Sequence, residues 1–597
     1  MSETLTLQDL AGSLHTGRQP SEIKDNEWTE LVNFYQYGRS LITRPPSSKI
    51  SSVPHSSALT GLFAYKRNLG AWTIICGTTT GLARVNQESG VIEPITIADI
   101  ASYASNNNLW SNFQYNDILY SARKETGTLK RGKADFVMDA GIPKPATPPV
   151  VAEGAAGNLD AGTYFIVYTY WNPETGAEGN PSDPSDALVL GADKTVDYSS
   201  LVPSTNGQVG GKRLYRTLPN QIGEYYLTAS VVGNAITTYS GENIPIGALG
   251  KAASFKNDVP PSRVNFAVLW KERAWVTDGR NMYASQPLFP EAYDYETDTY
   301  PVYPDDGHTI RGASPWGDRL FVGKTNAVHL ITPSGAAFSL STLSDRHGCF
   351  SHHSIKVFES LIAWYGGDDF YISTGSEPEK IGDSYIRTLL DDIPDEHKEN
   401  ICSAVVPALS WYVTSIPVGG SAHTHLLVYN YRSRVWTTFR YNISGTTTSA
   451  PAFLADFFNT NYGRLLYGAF SDGHVWDLMS DTPGDDGSPY DCSGVTKAFG
   501  LKDTGTLSGL KGVMLNCSKI PESLSIGIYR NTDTSTLFNQ RTINLNAYGA
   551  WKPLALQSIR RPASHTQIRF DYSGLRQLIL SELAFRVIPV GRTRRWR

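Results

Sequence analysis

The chain has 597 residues, a net charge of −5 and 18% charged residues, with 53 Gly, 34 Pro and 32 Tyr against only 5 Met. That balance excludes long helical bundles and coiled coils, which need Ala, Glu, Lys and Leu, and it carries no nucleic-acid-binding signature. It suits many short strands joined by tight turns, over a length that allows about three to five domains.

The first residues, MSETLTLQDLAGS, lack a basic segment followed by an apolar one and do not read as a secretory signal. No apolar run approaches the ~18–20 residues of a membrane span. Cysteines stand at 76, 349, 402, 492 and 517 with no CxxC spacing. They are expected to be buried free thiols of a protein made in a reducing cytosol.

In chain order, residues 1–142 are read as an N-terminal segment followed by the first blades of a repeat. Proline-rich seams at 141-GIPKPATPPV-150 and 256-KNDVPPSRV-264 bracket a segment of different character, 143–257. Its runs 163-TYFIVYTYW-171, 212-KRLYRTL-218 and 224-EYYLTASVV-232 are rich in Tyr, Val and Thr between polar turns, which predicts an inserted immunoglobulin- or fibronectin-III-like β-sandwich. Residues 258–486 resume the repeat.

The repeat is a strand, a tight turn and a second strand. It occurs at 72–85, 118–131, 274–285, 319–332, 361–374, 426–439 and 465–478, with turn markers Gly81, Gly127, Gly279, Asn326, Gly367, Ser433 and Gly473. Asp-Gly and Gly-Asp steps supply the positive φ of hairpin turns. With the insert removed, and a polar excursion at 376–400 expected to hold one short helix, the period is about 40–47 residues, the size of a four-stranded propeller blade. The spacing predicts an all-β fold: an irregular propeller of about six to eight blades, interrupted once by the sandwich.

From 487 to 597 the pattern changes to strict alternation. Ile568, Phe570 and Tyr572 share one face, and Gln567, Arg569 and Asp571 the other. Similar alternation at 523–529 and 583–590 predicts a C-terminal β-sandwich with a basic tail, 591-GRTRRWR-597.

Candidate chemistry is thin. His347, Cys349, His352 and His353 have spacings that could ligate a metal, but they match no fixed zinc motif, and adjacent histidines on a strand would face opposite ways. Polar blade-edge residues are the preferred reading. His423 and His425 would share a strand face, although a loop exit is preferred. The acidic groups 304-PDDG-307, 391-DDIPDEH-397 and 484-GDDG-487 could act as paired carboxylates but read better as turn and solvation residues. The run 471-SDGHVW-476 lacks the spacing of a sialidase Asp-box and reads as a hairpin turn with Trp476 packed inward. No GxSxG, Walker loop or post-strand GxGxxG occurs. No catalytic, cofactor or metal site is expected. The tail residues Arg592, Arg594, Arg595 and Arg597 could meet nucleic acid or an acidic partner surface, or lie solvated.

The stretch 32-VNFYQYGRSLITRPP-46 resembles the N-terminal signature of tail propeller proteins of short-tailed bacteriophages, with Asn33, Gly38, Arg44 and Pro45 as the matching residues. The segment 467-YGAFSDGHVWDL-478 is similar to that family's last blade, and 161-AGTYFIVYTYWNPETGAEGNPSDPS-185 to fibronectin-III-like inserts of phage tail proteins. The resemblance implies the tail nozzle class, also called tail tubular protein B or packaged-DNA stabilisation protein. It further implies a hexameric virion ring, assembled in the host cytoplasm, that retains packaged DNA and passes it at ejection. An upstream adaptor ring, and tail fibres or a needle, would be its partners. A strand-turn-strand that locks the ring, with Pro45 ending a ladder at an edge, is the role expected of the signature. Two alternatives remain: a propeller that binds or cleaves host glycans, and a fibre-adaptor or head-closure ring.

Overall fold

The computed structural model describes residues 3–68, 72–86, 89–97, 109–124, 127–133, 135–335, 337–443, 446–459, 463–500, 506–546, 551–554 and 563–592. The fold is all-β. Its one α-helix among these residues, Arg387–Asp391, lies in the polar excursion, followed by a 3-10 turn over Asp395–Asn400. Alternating, β-branched and aromatic runs give strands wherever one face can be buried, and Gly, Asn and Asp close the turns.

All seven repeats form antiparallel hairpins. Of the seven turn markers, Gly127, Gly279, Gly367 and Gly473 take positive φ. Some turns pay for the same geometry without glycine. Lys271 and Glu272 both sit at positive φ between Trp270 and Arg273, where the register leaves only two loop residues.

The chain divides into two compact units. One contains 1–64, 72–94 and 311–597; the other contains 65–71 and 95–310. In the second unit, Phe266–Trp270, Arg273–Thr277, Asn281–Gln286 and Phe289–Tyr293 form an antiparallel sheet over a core that includes Val264, Ala274 and Val276. The segment 150–242 builds three small sheets around its own apolar centre of Tyr164, Ile166, Tyr168, Val196 and Leu214. The ion pair between Arg216 and Glu242 is wholly buried there, with Arg216 Nε 3.1 Å from the carboxylate.

Further four-stranded sheets form from Ile310–Ser344, from Lys356–Lys380 and from Phe453–Asp477. The last of these takes its fourth strand from the other end of the chain: Ser48–Lys49 pairs with Val475–Asp477. Trp28–Val32 does something the C-terminal alternation does not foretell. It lies between Val435–Phe439 and Tyr490–Thr496, joining the sheet Cys402–Phe439 to the C-terminal strands Tyr490–Thr496, Thr566–Gly574, Ser523–Arg530 and Asn539–Asn544 in one nine-stranded sheet. Ile568, Phe570 and Tyr572 are buried as their alternation predicts. Gln567 is buried too, contrary to its reading as a wet-face residue. Its Nε2 donates to the Thr496 carbonyl at 2.9 Å and to Thr29 Oγ1 at 3.1 Å, which satisfies the amide nitrogen, while its buried Oε1 has no hydrogen-bond partner.

Candidate functional site

The N-terminal signature folds as a hairpin, Phe34–Tyr37 with Ser40–Thr43. Gly38 opens its two-residue turn at φ 61°, and a Cβ there would meet nothing, so backbone conformation alone requires the glycine. Ser40–Thr43 pairs on its other side with Ile579–Arg592. The ladder that Pro45 follows is therefore an interior one, and its expected place at a sheet edge is corrected.

Asn33 takes a left-handed φ of 61°, which Asn tolerates better than most residues. Both ends of its amide are used. Nδ2 donates to the Asp491 carbonyl at 2.6 Å; Oδ1 accepts from the Arg440 backbone N–H at 2.7 Å and from Arg44 Nε at 3.0 Å. Arg44 is wholly buried. Its guanidinium donates to the carbonyls of Pro45 and Arg440 and to the Asp485 carboxylate at 2.5 Å, and it lies 4.0 Å from the Tyr441 ring centroid and 4.7 Å from that of Tyr490. Ser47 Oγ donates to the other oxygen of Asp485 at 2.8 Å. Burial works against the Arg44 charge, but the neighbouring Asp485 carboxylate outweighs it, and the net direction is up. The sequence pattern points to Asp485 as a turn and solvation residue. It is instead the buried counter-ion of the clasp, while its neighbour Asp486, at positive φ and exposed, keeps the turn role.

Beside the clasp, on the open face of the nine-stranded sheet, is a trough of about 610 Å³. Arg569 lies in it between two carboxylates, reaching Asp571 at 2.8 Å and Glu30 at 3.3 Å; Ser493 Oγ donates to Glu30 at 2.5 Å. Burial raises the Asp571 pKa above the ordinary carboxylate value. Arg440 also lines the trough. One of its guanidinium N–H groups donates to His425 Nε2 at 2.7 Å, while its buried Nε has no partner.

His423 and His425 lie on the strand His423–Asn430, not in the loop exit preferred for them, because pairing with Trp411–Pro417 carries the ladder through them. Burial pushes both down to about 4; His397 adds to this for His423 and Arg440 for His425. A histidine ordinarily titrates near 6.5, so the unfolded chain takes up protons that the native one refuses. Stability is full above about pH 6.5 and is lost as pH falls toward 4. Replacing both with Gln should flatten this acid limb in thermal melts at pH 7 and pH 4.5, and an unchanged limb would contradict the assignment.

His352 and His353 occupy a 3-10 turn, not a strand, and their rings lie 5.2 Å apart. Burial pushes His352 well below its usual value. The His347 ring packs at a tilt against Tyr371, with 4.5 Å between ring centroids, and Cys349 is buried. Among the described residues no group of three or more His, Cys, Asp or Glu could hold a metal ion. All five cysteines are buried free thiols, none in a disulfide; burial raises Cys76, Cys349 and Cys402 to about 12, which makes them poor nucleophiles. In the 471–476 run, Gly473 takes φ 80°, Asp472 accepts the His474 N–H at 3.0 Å, and Trp476 is buried. Arg592 ends the last strand, whereas Arg594, Arg595 and Arg597 lie outside the described residues. No described helix is long and apolar enough to cross a membrane.

The fold and site define the class only as far as an all-β protein. No family model matches the chain, and no curated protein matches it. Among solved structures it is similar to the extracellular domain of a one-component system from B. thetaiotaomicron at 9% identity, covering 90% of this chain and 86% of that one, with a TM-score of 0.26. An exo-beta-1,3-galactanase from Phanerochaete chrysosporium is also 9% identical, covering 73% of this chain and 100% of that one, with a TM-score of 0.20. Hsv2 from Kluyvelomyces marxianus is 7% identical over 46% of this chain and 71% of that one, with a TM-score of 0.24. At such scores the likeness supports neither a particular β-architecture nor a function.

Proposed function

We propose that the chain is a non-catalytic structural protein of a short-tailed phage tail, a nozzle ring whose four-stranded sheets are the blades of an irregular propeller. The observation that carries this reading is how the signature residues are used. Asn33 and Arg44 are consumed in tying the N-terminal segment to distant strands and turns, Gly38 turns the hairpin between them, and Ser48–Lys49 completes a sheet begun more than four hundred residues later. Closing the last sheet with a strand from the start of the chain is how a radial array of sheets removes its free edges. A ring that holds pressurised DNA has need of such a lock.

The negative charge of each copy suits a bore that DNA passes through without being gripped, since lysine- and arginine-rich walls bind phosphate by counterion release. An obligate ring of this kind, a hexamer in our reading, buries more than about 2,000 Å² at each interface. An adaptor ring upstream and fibres or a needle around it are the partners this position implies.

The polar trough favours a second reading, a tail protein that meets host glycans. Two assays test the structural reading. Immunogold labelling of virions should place the chain at the tail tip, and purified protein should release no reducing ends from host polysaccharide. Labelling that avoids the tail, or steady release of reducing ends, overturns the structural reading.

A further inference from the structure

We propose that the trough on the C-terminal face of the nine-stranded sheet binds a neutral oligosaccharide. The floor is a row in cross-strand register: Thr542 lies opposite Ser525, Ser525 opposite Asp571, and Asp571 opposite Ser493. Directly opposed residues share a sheet face, so this row projects into one trough and spans about 14 Å over three strand spacings. Ser525 and Thr542 hydroxyls lie 2.9 Å apart. Here the floor is short hydroxyl and carboxylate groups, and the space above it, about 610 Å³, falls within the range of small-ligand sites.

The mixture of groups selects the ligand. A sugar hydroxyl both donates and accepts, so a polyol needs both kinds of partner side by side. Asp571 and the exposed Asp491 only accept; Arg440 only donates. Across the trough three carboxylates, Glu30, Asp491 and Asp571, stand against two guanidiniums, Arg440 and Arg569. That near-balance gives an anionic or cationic ligand little net attraction and favours an uncharged one. The proposal supplies a ligand class for the second reading above. Its failure leaves the ring reading standing, because that reading is judged by position in the particle.

Titration calorimetry on the full chain tests it, with cellohexaose, maltohexaose and xylohexaose as neutral probes, tetragalacturonate as the anionic one and a chitosan hexamer as the cationic one. At least one neutral probe should bind with millimolar or tighter affinity. Arg440→Gln, which removes the donor, and Ser525→Gln, which fills the floor, should each weaken binding by about tenfold or more. Thermal melts should show both variants folded. The proposal is overturned if no neutral hexamer binds, if either folded variant binds as the parent does, or if a charged probe binds more tightly than every neutral one.

Discussion

Asp485→Ala is expected to destabilise the protein by about 3–5 kcal/mol, because it leaves the Arg44 guanidinium buried without its counter-ion. Neither partner reaches solvent, both having side-chain exposures of 0%. Arg44→Ala should cost a similar amount by stranding Asp485, and should also empty the slot between Tyr441 and Tyr490. Replacing both at once, as Arg44→Met with Asp485→Leu, should recover much of the loss, since a buried pair costs more to break than to remove. Urea unfolding of the four proteins measures this. Single variants within about 1 kcal/mol of the parent would mean that the clasp contributes little.

Asp369→Asn should act in the opposite sense, and only above acidic pH. The Asp369 carboxyl is wholly buried; Oδ1 accepts the N–H groups of Phe370 at 2.6 Å and Gly382 at 2.8 Å, and Oδ2 has no partner. Burial pushes its pKa up to about 7. The unfolded value is near 3.9, so the native state holds this proton more tightly than the unfolded chain does. Stability from this group is full below about pH 4 and is lost as pH rises to about 7, by up to ~4 kcal/mol. An amide is neutral at every pH and keeps the acceptor. Asp369→Asn should therefore match the parent at pH 4 and exceed it by about 2–4 kcal/mol at pH 8. An equal gain at both pH values would show that titration is not the cause.

The hairpins were legible in the sequence because period-two patterning and glycine turns are local signals. At 465–478, the alternation and Gly473 are enough to place both strands. The clasp was not legible. Arg44 and Asp485 are 441 residues apart, and a GDDG run gives no sign that one aspartate turns inward while its neighbour stays in water. Asn33 and Arg44 stood out only through a family resemblance, and nothing local says that they hydrogen-bond each other. The trough was hidden for a different reason. Its floor is assembled from four strands, each contributing one unremarkable Ser, Thr or Asp, so only the register between strands brings them together. His423 and His425 became strand residues because their neighbour strand extends the ladder, an influence their own segment does not encode.

An electron cryo-microscopy reconstruction of the intact particle tests the central claim most directly. The account predicts six copies of this chain in a ring at the distal end of a short tail, around an open or plugged passage. Density for the chain as isolated single copies on the tail's flank, or none in the particle at all, would contradict it.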